Sequence, residues 1–174
     1  MAAKKFAIAL VEGETEKSLL NDFKNSLKYP IKRIVKVNLW NSDIKKIAPS
    51  FTEPSDILVI FDTDILDNLD RFQENLKILT SRKHTIFLFQ QKNNFEDEIA
   101  HASSLSKKKL FAEFCPKGPS ADNFKHEFNR IDGRLRKLTA LGLDKDRLWE
   151  RELIEQLHRY NEHSSSHRKY FSVK

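Results

Sequence analysis

Short apolar runs alternating with longer amphipathic stretches constrain this chain more than any other feature of its sequence. The clearest run is Ile57-Leu58-Val59-Ile60-Phe61, continuous, β-branched and too short for a buried helix. Phe6 to Val11 and Thr85 to Phe89 read the same way, and residues 33–40, RIVKVNLW, place Val35, Val37 and Leu39 on one side of a further strand. Helical spacing fills the intervals. Leu19, Leu20, Phe23 and Leu27 share a face over 15–28, and Leu69, Phe72, Leu76 and Leu79 share one over 67–80. Asn41-Ser42-Asp43 caps a short helix that Pro49 stops, and another helix starts near Phe95. Residues 5–105 thus read β-α-β-α-β-α-β-α. That order implies an α/β domain with a mostly parallel central sheet flanked by helices.

The remainder is patterned differently. Residues 106–162 predict a mainly helical extension packed on the sheet domain, with Phe124, Phe128 and Ile131 on one face, then Leu135 and Leu138. Leu148, Trp149, Leu153, Leu157 and Tyr160 predict a last helix, and residues 163–174 form a basic, polar tail. The apolar content, 39% of 174 residues, comes in blocks and includes 13 Phe, which excludes global disorder. The net charge of +6 suits an acidic polymer such as nucleic acid as partner. Cys115 is the only cysteine, so an intrachain disulfide and a thiolate metal site are both excluded. No apolar run approaches the roughly 20 residues that span a bilayer. The N-terminal residues lead straight into a strand, which leaves no room for a signal peptide and predicts a cytoplasmic protein. His163 and His167 stand four apart in a Ser-rich tail and read as solvated, while Trp40 and Trp149 read as core.

Acids gather where the strands end. The first strand ends at Glu12, with Glu16 one helical turn on; the third ends in Asp62-Thr63-Asp64; the fourth is followed by Asn94-Phe95-Glu96. In a parallel sheet these ends are neighbours, and carboxylates so placed repel one another in a partly desolvated cleft. A divalent cation resolves that conflict, and an all-oxygen donor set suits one or two Mg²⁺ or Mn²⁺ ions. Glu12 and Glu16, four apart, aim at one site from a helix start, and Asp62 and Asp64 point together if the backbone stays extended. Gly13 permits a tight turn and close approach, and the helix start behind it favours a phosphate. Each acid alone has an ordinary explanation. Glu14 and Glu16 complement a helix dipole, Asp62 caps a turn, Asp67 and Asp70 begin a helix, and Glu98 is a solvated helix residue. Their assembly at three strand ends favours the metal site.

These motifs resemble the TOPRIM domain, in which a strand-Glu-Gly is followed by a strand ending in Asp-x-Asp. VEGETE is most similar to the nuclease branch, the overcoming-lysogenization-defect (OLD) and RloB-like group. Glu12 and Glu16 match its first motif, Asp62 and Asp64 its second, and Asn94-Phe95-Glu96 resembles its third, with Asn in place of Ser. The resemblance covers residues 5–105 and implies a Rossmann-like TOPRIM fold. It also implies metal-dependent hydrolysis of DNA or RNA, with Glu12, Glu16, Asp62, Asp64 and Glu96 as metal ligands. Glu12, Asp62 and Asp64 would be catalytic, Glu12 as ligand or as general acid/base. OLD nucleases also place a lysine near the cleaved phosphate; Lys92, Lys117 and Lys125 are the candidates, with Gly13 at the phosphate-binding helix start. Relatives work with an ATPase in phage defence. No Walker-type phosphate loop occurs here, so an ATPase partner would be a separate chain; homo-oligomerisation is left open. Competing readings are a non-catalytic TOPRIM adaptor of an ATPase complex, a haloacid-dehalogenase-like phosphatase suggested by ILVIFDTDIL, and a receiver domain. The last two leave Glu12 without a role or without its acidic pair.

Overall fold

A computed structural model of the chain describes residues 6–24 and 30–160. Its centre is an all-parallel sheet of β1 (Ala7–Val11), β2 (Ile31–Lys36), β3 (Asp56–Asp62) and β4 (Thr85–Gln91), in the spatial order β2-β1-β3-β4. The chain steps from β1 out to β2, then returns to lay β3 on the other side of β1. The winding reverses between the carboxyl ends of β1 and β3, the crevice where open parallel sheets bind ligands. Six α-helices complete the α/β fold among the described residues: α1 (Glu14–Phe23), α2 (Leu69–Ser81), α3 (Phe95–Ala102), α4 (Lys107–Phe114), α5 (Ala121–Arg130) and α6 (Arg134–Ala140). None of the described helices is long and apolar enough to cross a membrane.

Strand alternation divides the core in two. Ala9, Val11, Leu58, Ile60, Phe87 and Phe89 face α1, α3 and the helical extension, where Leu19, Phe95, Phe114, Phe124 and Phe128 pack against them. Leu10, Val59, Phe61 and Leu88 face the other way, onto Phe72, Leu76 and Leu79 of α2 and onto Trp40 and Ile44. Trp40 stacks on Phe72 with ring centroids 4.3 Å apart, which places it in the core as expected.

Three predicted elements differ in the structure. The second strand spans 31–36 rather than 33–40, because Asn38 Oδ1 accepts the N–H groups of Trp40 and Asn41 and turns the chain. The short helix after Asp43 is a pair of 3-10 turns, Ile44–Lys46 and Ala48–Ser50, with Pro49 inside the second. The predicted last helix does not form over its first half. Leu148 and Trp149 belong to the α1-side core, whereas Leu153 and Leu157 belong to the α2-side core. One helix face cannot serve both sides of a sheet, so this segment instead passes as a strap around β4, ending in a 3-10 helix, Glu155–Tyr160.

Two side chains fasten the strap. Gln90 of β4 donates to the carbonyl of Glu152 and accepts the N–H of Ile154 at 2.8 Å. Glu98, read from the sequence as solvated, is fully buried; it accepts the N–H of Trp149 at 2.6 Å and pairs with the Arg151 guanidinium. The sequence sees Glu98 as one more acid on a helix, because its partners lie some fifty residues away. Leu27, His163, His167 and the 163–174 tail lie outside the described residues. Because removing one member of a buried pair strands the other, Glu98→Ala is expected to cost about 3 kcal/mol of stability. Equilibrium urea unfolding measures that loss.

Candidate active site

Glu12 stands one residue beyond β1, and both of its oxygens are engaged. Oε2 accepts the backbone N–H of Asp62 at 3.1 Å, and Oε1 accepts from Asn38 Nδ2. The carboxyl ends of β1 and β3 and the turn after β2 are thereby tied at one carboxylate. Burial raises the Glu12 pKa above the usual range, the Asp62 N–H partly offsets this, and the charge of Asp64 adds to the rise.

Glu16 lies in the first turn of α1 but is only 2% exposed. Its carboxylate folds back over Gly13, where an added Cβ would come within 2.7 Å of Oε2. Gly13 itself has an ordinary extended backbone (φ −128°), so glycine is required there for space and not for a tight turn. Thr15 Oγ1 donates to Glu16 Oε2 at 3.3 Å. Burial raises the Glu16 pKa most; its own backbone N–H and Thr15 oppose the rise, while the charges of Glu12 and Glu96 add to it. Glu14, between the two, is exposed and pairs with Lys36 at 2.8 Å.

Asp62 closes β3 with its side chain on the α1 face. Burial first, then the charges of Glu16, Glu12, Asp64 and Glu96, push its carboxyl up to about 9. In register beside it on β4 is Gln91, completely buried. With its NH₂ turned inward, the Gln91 amide donates to Glu16 Oε1 at 3.0 Å and to Asp62 Oδ1. Glu96, in the first turn of α3, is 2% exposed; Lys125 Nζ on α5 stands 3.3 Å from its Oε1, a buried oxygen with no other partner. Burial works to lower the Lys125 pKa, but the charges of Glu96, Asp62 and Glu16 outweigh it and raise the value.

A cavity of about 280 Å³ opens here, with Glu12, Gly13, Glu16 and Asp62 on one side and Lys125 and Asn129 from α5 on the other. A larger groove, about 410 Å³, lies at the opposite end of the strands by Phe6 and Phe51, and its only ionisable lining groups are Lys32, Arg33 and Glu53. The concentration of perturbed carboxyls makes the smaller cavity the candidate site.

Of the sequence candidates, Glu12, Glu16, Asp62, Glu96, Gly13 and Lys125 come together. Asp64 does not join the lining. β3 ends at Asp62, the chain turns at Thr63, and Asp64 is exposed, acting on Glu12 and Asp62 through its charge. Asn94 spends its Oδ1 on the N–H of Asp97 at 3.1 Å, capping α3. Lys92 is exposed on the turn after β4, and Lys117 lines a separate cavity of about 300 Å³ with Cys115 and His126. Asn38, Gln91 and Asn129 are members that a search for acids and lysines passes over. The signal for Gln91 was the Gln90-Gln91 pair following TIFLF, which prolongs the fourth strand to its functional end.

Among the described residues, no three His, Cys, Asp or Glu side chains converge closely enough to cage a metal ion. The Gln91 amide lies between two of the carboxylates, Glu12 is turned to the Asp62 backbone, and Glu96 to Lys125. No family model, curated protein or solved structure matches this chain.

The raised Asp62 pKa sets a sign for stability. Between about pH 4 and 9 the folded protein binds a proton here that the unfolded chain does not, so metal-free stability falls as pH rises through that window and levels off above it. In EDTA, Asp62→Asn is expected to flatten this decline and to raise Tm at pH 8.5 by several degrees, at about 2–4 °C per kcal/mol. Thermal unfolding of both proteins from pH 5 to 9 checks it; parallel curves would contradict it.

Proposed function

We propose that this chain is a Mg²⁺- or Mn²⁺-dependent nuclease that hydrolyses phosphodiester bonds of DNA or RNA, as its likeness to TOPRIM nucleases of the OLD and RloB-like group implies. One observation carries the reading: Glu12, Glu16 and Asp62 line one crevice at the reversal point of a parallel sheet, faced by Lys125, which is paired with buried Glu96 at the edge. Gathering like charges in a buried crevice destabilises the fold, and a bound cation compensates that cost. The donors are all oxygens, which fits a hard divalent ion.

As they stand no three acids among the described residues converge on one point, so Glu16, Asp62 and Glu96 would have to draw together to hold the ion, with Asp64 at the outer edge. A bound ion supplies positive charge against the phosphate and lowers the pKa of a coordinated water. Lys125, kept charged by its acidic neighbours, places a cation on the far wall for a phosphate oxygen. Glu12 braces the backbone of Asp62, and each of its oxygens keeps a lone pair beyond those bonds to accept a proton from the attacking water. Gly13 keeps open the space that the Glu16 carboxylate fills. The phosphatase reading leaves Glu12 idle, and an adaptor has no use for buried like charges. A separate ATPase chain and a role in phage defence follow from the same likeness.

The test is incubation of the purified protein with plasmid, single-stranded DNA and total tRNA, with Mg²⁺ or Mn²⁺, with and without the product of the adjacent gene. Cleavage in at least one lane is expected. Asp62→Ala and Glu12→Ala should each reduce it about 100-fold or more while circular dichroism stays unchanged. Undiminished cleavage by Asp62→Ala would refute the scheme, and no cleavage in any lane would favour the adaptor. Lys125→Ala is expected to lower the rate about tenfold or more, with Lys92→Ala and Lys117→Ala near wild type. Gly13→Ala should fold yet lose activity, because the added methyl displaces the Glu16 carboxylate.

A further inference from the structure

The charge of this chain is not spread evenly. Residues 1–106 carry 15 Lys and Arg against 15 Asp and Glu, whereas residues 107–140, the span of α4, α5 and α6, carry nine against four and so hold +5 of the net +6. Part of that excess ties the extension to the sheet domain: Lys107 pairs with Asp97 at 3.0 Å, Lys125 with Glu96 at 3.3 Å and Arg134 with Asp22 at 2.8 Å. Another part is uncommitted. Lys108 and Lys109 are exposed on the side of α4 away from buried Leu110 and Phe114. Lys137 Nζ lies 4.6 Å over the ring of Phe114, at the other end of that helix. None of these three lysines has an acid within ion-pair distance among the described residues. Helix stability does not account for Lys107, Lys108 and Lys109, because they crowd the first turn of α4, the end where the helix dipole disfavours cations. The row begins beside the crevice. Lys107 and Lys125 grip neighbouring residues of α3, Asp97 and Glu96, and Lys125 lines the crevice itself.

We propose that the helical extension is a nucleic-acid-binding platform, on which Lys108, Lys109 and Lys137 hold the phosphates of a strand that reaches the crevice at Lys125. The inference shares one premise with the nuclease reading, that the partner is nucleic acid, and it needs neither a metal ion nor cleavage. Phosphodiester is the chemistry these groups fit. Ammonium groups on an exposed helix neutralise phosphates without reading bases, so the contacts are independent of sequence. The eight residues of α4 span about 12 Å, so the lysines at its two ends meet separate phosphates. The platform also divides the work of the molecule. The crevice presents carboxylates, which repel a polyanion, and the cations beside it supply the attraction that brings a strand there.

Fluorescence anisotropy in EDTA measures binding apart from catalysis, with a labelled single-stranded DNA and the RNA of the same sequence as probes. Both are expected to bind the wild-type protein, because the contacts are to phosphate. Between about 50 and 200 mM KCl, Lys108→Gln/Lys109→Gln should make the plot of log affinity against log salt shallower by about 1.4, and the further change Lys137→Gln by about 2 in all. At the low-salt end the triple variant should bind about tenfold more weakly or worse. The double variant relieves charge at the start of α4 and is expected to melt no lower than wild type, so its loss of binding is not a loss of fold. Lys77→Gln/Arg82→Gln removes the same charge from α2 and its C-terminal cap, on the other side of the sheet, and should bind as wild type does. An unchanged slope in the double variant, an equal loss in the α2 variant, or no binding of either probe by the wild-type protein would overturn the platform. The nuclease reading is decided separately, by the metal-dependent cleavage assay.

Discussion

Glu12 spends both of its oxygens on protein, and the placement of the acidic crevice depends on that. The peptide of Asp62 is gripped from two sides: its N–H by Glu12 and its carbonyl by Trp40 Nε1 at 3.1 Å. Thr63 then bonds across to Asn93 and Gln91, so the ends of β3 and β4 cannot drift apart. Hydrogen bonds to a charged carboxylate contribute roughly 1.5–3 kcal/mol, more than an ordinary neutral one. The result is a set of strand ends fastened to one another through their backbones around the acidic crevice.

Charge in this molecule is sorted by depth. Exposed Glu14 is matched by Lys36 and Lys17, at the surface, where such pairs contribute little. Glu98 is buried and fully matched by Arg151 and a backbone N–H, and it serves the architecture. Glu16 and Asp62 are desolvated and set against other acids, with an amide and not a cation beside them. Four acids thus have three fates, distinguished by what the fold brings to each.

Much of this was legible in the sequence, for identifiable reasons. The apolar runs announced the strands because a strand buried on both faces is built mostly of apolar residues, and the acids were conspicuous because they interrupt those runs. The parallel alternation then placed Glu12 near Asp62 without any coordinates. What stayed hidden depends on distant partners. Asn38 looked like part of a strand until its turn became visible, and Gln91 fell outside the strand read at Thr85 to Phe89 because glutamine signals no burial by itself. Glu98 could not be told from a solvated acid without Trp149 and Arg151. The last helix failed for a topological reason: its apolar residues are divided between two sides of a sheet, which helical periodicity cannot express.

That strap has a consequence for the order in which the protein comes into being. Leu148 and Trp149 complete one core and Leu153 and Leu157 the other, so neither is closed until the chain has been made through residue 157. A nascent chain carrying all four strands still has apolar surface open on both faces of its sheet. Contacts between residues about sixty apart, such as Gln90 with Glu152 and Ile154, must wait for the far partner to appear. Closure of both cores therefore waits for this late stitch, and until it forms the apolar faces of the sheet are open to other unfinished chains.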